Sequence, residues 1–274
     1  METEKIHLTK DKETYLITLY GKALDNRTEN PILSDKFADE VVRRIDFDFE
    51  KLKSPKGASI SLPIRAKHLD NWTREFLATN PESTVLNLGC GLDSRVFRVD
   101  PPASIRWYDV DFPDVIELRK RLYPERHNYI MIGSSVTEPG WLDEIPVDRP
   151  VLVVAEGLVM YLSEKEVIAL FSKITEKFPS VQFIFDAYSR LMIRFIRLLP
   201  AAKRSEVSLI WGMNDPQDLE KHVPRIRLVA EISFLDIPGL IERISPSKIG
   251  RTYYGLMDHI PFVKRMVRHL RYEF

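Results

Sequence analysis

The stretch Thr84 to Arg98, TVLNLGCGLDSRVFR, narrows the fold more than any other part of the chain. A short apolar, β-branched run, Thr84 to Leu88, meets Gly89, Cys90 and Gly91, and a short helix can follow. Strand, glycine turn and helix form the opening unit of an open α/β sheet. Ligands of such sheets sit at the carboxyl ends of the strands, beside a turn of this kind. Glycine lacks Cβ, so the backbone bends sharply there and lets a ligand come close.

The same unit opens a dinucleotide site, so the flanking residues bear on the ligand class. The dinucleotide fingerprint places a third glycine at position 94, where this chain has Ser94. Asp93 stands at the mouth of the following helix, where a pyrophosphate would use free N–H groups and the positive helix end. A carboxylate at that point repels phosphate. The turn suits a nucleoside ligand without phosphates, of which S-adenosylmethionine is the common one. The alternative is a turn that only shapes the scaffold.

With 274 residues the chain can form one large domain or a domain with an added cap. Lysine plus arginine equals aspartate plus glutamate, 40 each, so the formal net charge is zero and a broad nucleic-acid surface is not expected. Cys90 is the single cysteine, which excludes a disulfide within one chain and fits a reducing, cytoplasmic compartment. The start, METEKIHLTKDKE, lacks the apolar core of a signal peptide. No apolar run approaches the ~20 residues of a membrane helix, so no membrane partner is expected. The histidines are scattered, without metal-ligand spacing, so no metal is expected.

Residues 1 to about 60 read as helices preceding the sheet, a lid over its carboxyl edge. Tyr15, Leu16, Leu19 and Ala23 share one helical face. Asn30-Pro31 breaks that helix, and Phe37, Val41, Val42 and Ile45 mark a second. Lys51 to Ser59 reads as a loop, and Ile64 to Thr79 as a helix with Arg65 at its start. A cation near a helix N-terminus is electrostatically unfavourable, so Arg65 is either a surface residue or has a further role.

Ser104 to Asp111 reads as the second strand. Asp111 follows Gly89 by about 20 residues, where an acid accepts hydrogen bonds from ribose hydroxyls. Capping the next helix is the alternative, a role Asp114 fits equally, and Asp109 is a weaker candidate for the ribose. Tyr129 to Ser135 is a third strand, and adenine often lies against the loop at its end, near Ser134, Ser135 and Val136. Pro150 to Gly157 is the fourth, apolar enough to be buried on both faces. Glu156 closes it and needs a partner, either a cofactor's ammonium or sulfonium end or a cation from the lid. Ser163 and Glu166 form a capping box for a helix to Lys177, and Val181 to Tyr188 is the fifth strand. Alternating strands and helices predict a parallel, doubly wound sheet.

Between 189 and 225 that rhythm breaks, and the insert reads as a second part of the lid. Arg190, Arg194 and Arg197 share one side of a helix there, either solvated or facing an anionic substrate. Asp215 reads as an N-cap with Pro216 at the first helical position. Leu228 to Leu235 is a sixth strand, and Leu270, Tyr272 and Phe274 mark a closing edge strand.

The run VLNLGCGLDSR, then WYDVDFP at 107–113, VVAEGLVMYL at 153–162 and FIFDAYS at 183–189 resembles the leucine carboxyl methyltransferase superfamily. Trp211-Gly212 with Asn214-Asp215-Pro216 resembles its bacterial, tetracenomycin-type polyketide O-methyltransferase branch. The resemblance spans about residues 14–220. It implies an α/β class I methyltransferase (Rossmann-like) fold, a seven-stranded sheet with the last strand antiparallel, and a helical cap. The expected division is a cap at 1–60 and a methyltransferase domain at 61–274, with the insert at about 189–225.

The resemblance implies an S-adenosylmethionine-dependent O-methyltransferase forming a methyl ester or ether on a small molecule, with a carboxylate of an aromatic or polyketide-like acid the leading acceptor. Lys22, in LYGKALDN, and Arg65, in LPIRAK, would hold the cofactor's carboxylate. Gly89, Cys90 and Gly91 would line its methionine part, Asp111 would hold the ribose, and Ser135 and Val136 would border the adenine. Glu156 would meet the amino-acid end, and Tyr161, in VMYL, would face the methyl-transfer pocket. Two departures stand out. Ser135 replaces a frequent aspartate, and Lys22 replaces a frequent arginine, so a forked grip becomes a point charge. A carboxylate acceptor is ionised at neutral pH, with a reference pKa near ~4, and needs no general base. A phenol or alcohol would need one, and no residue stands out for that role, with Tyr161 and Asp186 weak candidates. The rival readings are a protein C-terminal carboxyl methyltransferase and a non-enzymatic cofactor-binding module. A nicotinamide oxidoreductase is disfavoured by Ser94 and Asp93. The oligomeric state is left open.

Overall fold

The computed structural model describes residues 4–5, 13–52, 58–198, 209–245 and 247–274. Parts of the expected cap and lid, at 53–57 and 199–208, lie outside the described residues, as does most of the charged start. Seven strands form one sheet. They are β1 (Thr84–Leu88), β2 (Arg106–Asp111), β3 (Tyr129–Gly133), β4 (Val151–Ala155), β5 (Val181–Tyr188), β6 (Arg227–Ser233) and β7 (Val267–Glu273). Their order across the sheet is β3-β2-β1-β4-β5-β7-β6. The first five run parallel, and β7 is antiparallel to both its neighbours. Strand order reverses between β1 and β4, which opens a crevice at their carboxyl ends.

The closing strand is not an edge. β7 lies between β5 and β6, and Leu270 and Tyr272 are fully buried. Leu270, Tyr272 and Phe274 alternate with Arg271 and Glu273, the pattern behind the expectation of an edge strand. Arg271 lies over the Trp72 ring at 4.5 Å, while Tyr272 stacks on Phe185 at 5.6 Å between centroids. The edge is β6, whose pairing shifts register between Leu228 and Ala230, a common way of interrupting an exposed edge.

Helix α1 (Glu13–Asn26) and helix α2 (Lys36–Arg44) pack together through Leu16, Leu19, Ala23, Val41 and Val42. Helix α3 (Ala58–Thr79) lays Leu69, Trp72 and Phe76 against Val85, Trp107, Leu152 and Ile184 of the sheet. It starts six residues before Ile64 and carries Pro63 inside it. Proline there costs one hydrogen bond next to a helix end that already leaves its first N–H groups unpaired. Burial of Ile64 with Ile237 and Leu240, with Ile60 alongside, offsets that cost. Arg65 therefore sits past the first turn, and the dipole objection to it lapses.

Helix α4 (Arg95–Val99) follows the glycine turn, and helix α5 (Pro113–Leu122) follows β2. Helix α6 (Glu164–Lys177) has the expected capping box at Ser163 and Glu166 and packs Phe171 on Phe183. Helix α7 (Arg190–Leu198) keeps Arg190, Arg194 and Arg197 exposed. Arg197 caps the carbonyl of Leu209, so these arginines form a solvated face. Asp215 accepts the Gln217 N–H at 3.0 Å before helix α8 (Gln217–His222). Between β6 and β7 lie helices α9 (Leu240–Ile244), α10 (Lys248–Asp258) and α11 (Pro261–Lys264).

Candidate active site

A cavity of about 530 Å³ lies at the carboxyl ends of β1, β2, β4 and β5, under α1 and the first half of α3. The ten residues that the resemblance assigns to the cofactor and the acceptor pocket, from Lys22 to Tyr161, all line it. Asp109, the weaker ribose candidate, does not. Asp109 is buried against Arg119 and accepts from Asn87 Nδ2 at 2.8 Å, Trp107 Nε1 at 2.9 Å and the Tyr129 hydroxyl at 2.6 Å. Its role is internal.

The turn is built by the strands beside it. Gly89 N donates to Val110 O at 2.8 Å, so β1 and β2 stay paired into the turn. Gly91 has φ +49°, and a Cβ there would lie 2.8 Å from Tyr15 Cδ1 of α1. Asp111 joins three parts of the chain. Its Oδ2 accepts from Gly91 N at 2.7 Å, and its Oδ1 accepts from Phe112 N at 2.8 Å and from the Tyr15 hydroxyl at 3.4 Å. Burial pushes the Asp111 carboxyl up, against the pull of those two amides. Cys90 is buried and its thiol is pushed well up by burial, so it lines the wall as an inert neutral group. Ser135 shares its hydroxyl with Thr137 at 2.8 Å, and the Val136 carbonyl accepts from Trp141 Nε1 at 3.2 Å.

An ion cluster closes the other end. Lys22 Nζ lies 2.8 Å from Asp93 Oδ1 and 3.5 Å from Glu156 Oε1. Arg65 places Nη2 3.1 Å from Glu156 Oε1 and Nη1 3.1 Å from Asp186 Oδ2. Arg95 donates to Glu156 Oε2. Burial works to raise the Glu156 carboxyl, but Lys22, Arg95 and Arg65 hold it down to about 2. Asp93 is likewise held well below the usual range, against burial, by Arg98, Lys22 and Arg95. Its charge is therefore not unopposed at a helix mouth, as the sequence suggested. It anchors Lys22, and the helix behind it is only five residues long.

Sequence reasoning missed Arg95, Arg98 and Tyr188. The two arginines follow the glycine turn at a spacing that puts both on one face of α4, and the acids they answer come from distant segments. Arg98 pairs with Asp35 of the α2 N-cap and with Asp70 of α3. Tyr188 closes β5 beside Arg65, and burial pushes its phenol up to about 12. Tyr161 is also raised by burial. Asp186 is spent: Oδ1 accepts the Gly157 N–H at 2.6 Å and Oδ2 faces Arg65.

These groups fit S-adenosylmethionine, a zwitterion with a sulfonium and no phosphate. The wall carries cations and carboxylates side by side, a side-chain-free turn, and a buried acid at the end of β2. Among the described residues no cluster of side chains could hold a metal ion, and no helix is long and apolar enough to cross a membrane.

The strand order, the turn at the switch point and the acid after β2 define a class I methyltransferase. The plantazolicin methyltransferase BamL, solved in complex with S-adenosylhomocysteine, shares this fold. Its TM-score is 0.52 at 11% identity, over 96% of this chain and 97% of that one. The family model for leucine carboxyl methyltransferase matches residues 16–130. The tetracenomycin polyketide synthesis O-methyltransferase TcmP of Streptomyces glaucescens is 43% identical over 272 residues, 99% of each chain. The S-adenosyl-L-methionine-dependent methyltransferase dpfgK of Gibberella zeae is 35% identical over 249 residues, 83% of each. The chain belongs to the leucine carboxyl methyltransferase family and is an S-adenosylmethionine-dependent O-methyltransferase.

Proposed function

We propose that this enzyme esterifies a carboxylate on a small aromatic or polyketide-like acid. The observation that carries this reading is the absence of a free base in the described cavity wall. Tyr161 and Tyr188 stay protonated, Asp93 and Glu156 are paired with cations, Asp111 accepts from two amides, Asp186 beside the wall is held by Arg65 and the Gly157 amide, and no histidine lines the cavity. An acceptor that is already ionised needs none. The name of the TcmP relative supports a polyketide-like acid.

In this reading Lys22 and Arg65 hold the cofactor's carboxylate and Glu156 its ammonium. Gly89, Cys90 and Gly91 line the methionine part, Asp111 binds the ribose, and Ser135 and Val136 border the adenine. Tyr161 faces the acceptor. When bound, the cofactor supplies a methyl group on a sulfonium, which departs as a neutral thioether. The protein then contributes alignment and exclusion of water. Alignment alone is worth up to about 7–11 kcal/mol in the best cases. The N-terminal helices to about residue 60 and the segment at about 189–225 serve as the lid, over the domain that follows residue 61.

Thermal unfolding with S-adenosylmethionine, S-adenosylhomocysteine and NAD comes first. A ligand at 100 times its Kd adds about 2.7 kcal/mol, roughly 5–10 °C for a chain of this size. A shift with the adenosyl ligands and none with NAD is expected. Transfer of labelled methyl to a panel of aromatic acids and phenols then separates the acceptors, because mild alkali releases methanol from an ester and not from an ether. Alkali-stable product alone overturns the carboxylate reading, and label appearing only on protein C-termini overturns the small-molecule reading.

A further inference from the structure

Arg95 opens α4 directly after the glycine turn, and its side chain is only 1% exposed. Its fork reaches four parts of the fold. Nε donates to Asp70 Oδ1 of α3 at 2.8 Å. Nη1 donates to Asn87 Oδ1 of β1 at 3.3 Å and lies 3.4 Å from Asp93 Oδ2 of the turn. Nη2 donates to Glu156 Oε2, just past β4. Asp70 is itself gripped from the other side by Arg98 Nε, at 2.9 Å. Arg95 cannot swing away without leaving several buried carboxylates short of a cation, which is costly.

The two oxygens of Glu156 are treated differently. Oε2 is taken by Arg95, which also lines the cavity, while Oε1 is shared by Arg65 at 3.1 Å and Lys22 at 3.5 Å. A ligand carboxylate that engages Lys22 and Arg65 competes with Glu156 for both. Among the described residues Arg95 is then the one cation still committed to Glu156. We propose that Arg95 is a positioning residue for the cofactor, keeping Glu156 charged and turned toward the cavity when a ligand carboxylate draws on Lys22 and Arg65. This rests on the reading above that the cofactor's amino-acid end lies among these residues. A purely structural arginine would affect stability and leave the pH response of binding unchanged. A positioning arginine changes that response, because Glu156 without it takes up a proton more readily.

The test is calorimetric binding of S-adenosylhomocysteine to wild type, Arg95→Gln, Arg95→Lys and Glu156→Gln from about pH 5 to about pH 8, with thermal unfolding of each protein as a check on folding. Wild type should bind equally across the range. Arg95→Gln should bind about tenfold or more weakly at neutral pH and lose further affinity on acidification. Arg95→Lys should keep the flat profile, since the charge is kept, but bind less tightly, since a point charge cannot span Asp70 and Glu156. A folded Arg95→Gln protein with wild-type affinity and a flat profile overturns the proposal. If Arg95→Gln does not fold, Arg95→Lys decides, and wild-type affinity at every pH overturns it. Glu156→Gln separates the two levels. Wild-type binding by that variant removes Glu156 from the amino-acid end and takes the proposal with it. Weakened binding there beside unchanged binding in Arg95→Gln removes Arg95 alone.

Discussion

Asp111 shows how one side chain at the end of a strand gathers a site. Its oxygens hold the Gly91 amide, the Phe112 amide and, more loosely, the Tyr15 hydroxyl. Of its roughly four lone-pair sites one remains on Oδ2, and the loose Tyr15 contact can give way to the second hydroxyl of a diol. Asp111→Ala should lose charge-assisted hydrogen bonds worth roughly 1.5–3 kcal/mol, about ten- to a hundredfold in affinity for S-adenosylhomocysteine. Calorimetry checks this, and an unchanged Kd would remove Asp111 from the ribose. Gly91→Ala should also weaken binding, because the residue has φ +49° and its new methyl group meets the Tyr15 ring at 2.8 Å. The ring must shift, and the Asp111 contact with it. Arg65 was legible as a residue in need of a reason, Glu156 as an acid in need of a cofactor or a lid cation, and Asp186 as a candidate base at a strand end. What a linear pattern could not show is that these charges satisfy one another. Carboxylates 93, 156 and 186 and cations 22, 65 and 95 come from five segments, with only Asp93 and Arg95 near neighbours in the chain.

At the scale of elements, the signals written in adjacent residues translated well. The Ser163 capping box is local chemistry and formed as read. Ser163→Ala should cost about 1 kcal/mol and lower the Tm by about 2–4 °C while leaving cofactor binding unchanged, since Ser163 is outside the cavity. The Trp211-Gly212 motif has a tertiary reason: a Cβ on Gly212 would lie 2.7 Å from the Arg190 amide nitrogen. Gly212→Ala should therefore push this loop off the start of α7 and destabilise the protein, read as a lower urea midpoint. Two boundaries were misread because distant packing outweighed local preference. Ile60 and Ile64 find partners beyond β6 and carry α3 back through Pro63. Pairing on both sides of β7 turned an apparent edge into an interior strand.

At the scale of the whole molecule, β7 meets α3 through a half-buried and a fully buried histidine. His68 and His269 have ring centroids 4.9 Å apart. Among the described residues His68 Nε2 and both His269 nitrogens lack a hydrogen-bond partner. Burial, with Arg271 beside it, pushes His68 down to about 4, and burial with His68 and Arg65 nearby takes His269 well below its usual range. In the unfolded chain both protonate near ~6.5. The unfolded state thus binds more protons below that pH, so this stability is full above about 6.5 and is lost as pH falls toward the folded values. Urea midpoints should fall between about pH 7 and about pH 5, and His68→Phe should make the fall shallower. By itself the sequence determined the order and type of most elements, the glycine turn and the acid that follows it, because periodicity, turn chemistry and caps act between near neighbours. Only the tertiary structure decided which cations answer which carboxylates, that Asp93 is an anchor and that Asp109 is internal. It also decided that the last strand lies inside the sheet. Those outcomes depend on burial and on charges brought together from distant segments, where low polarity makes the pairing matter most.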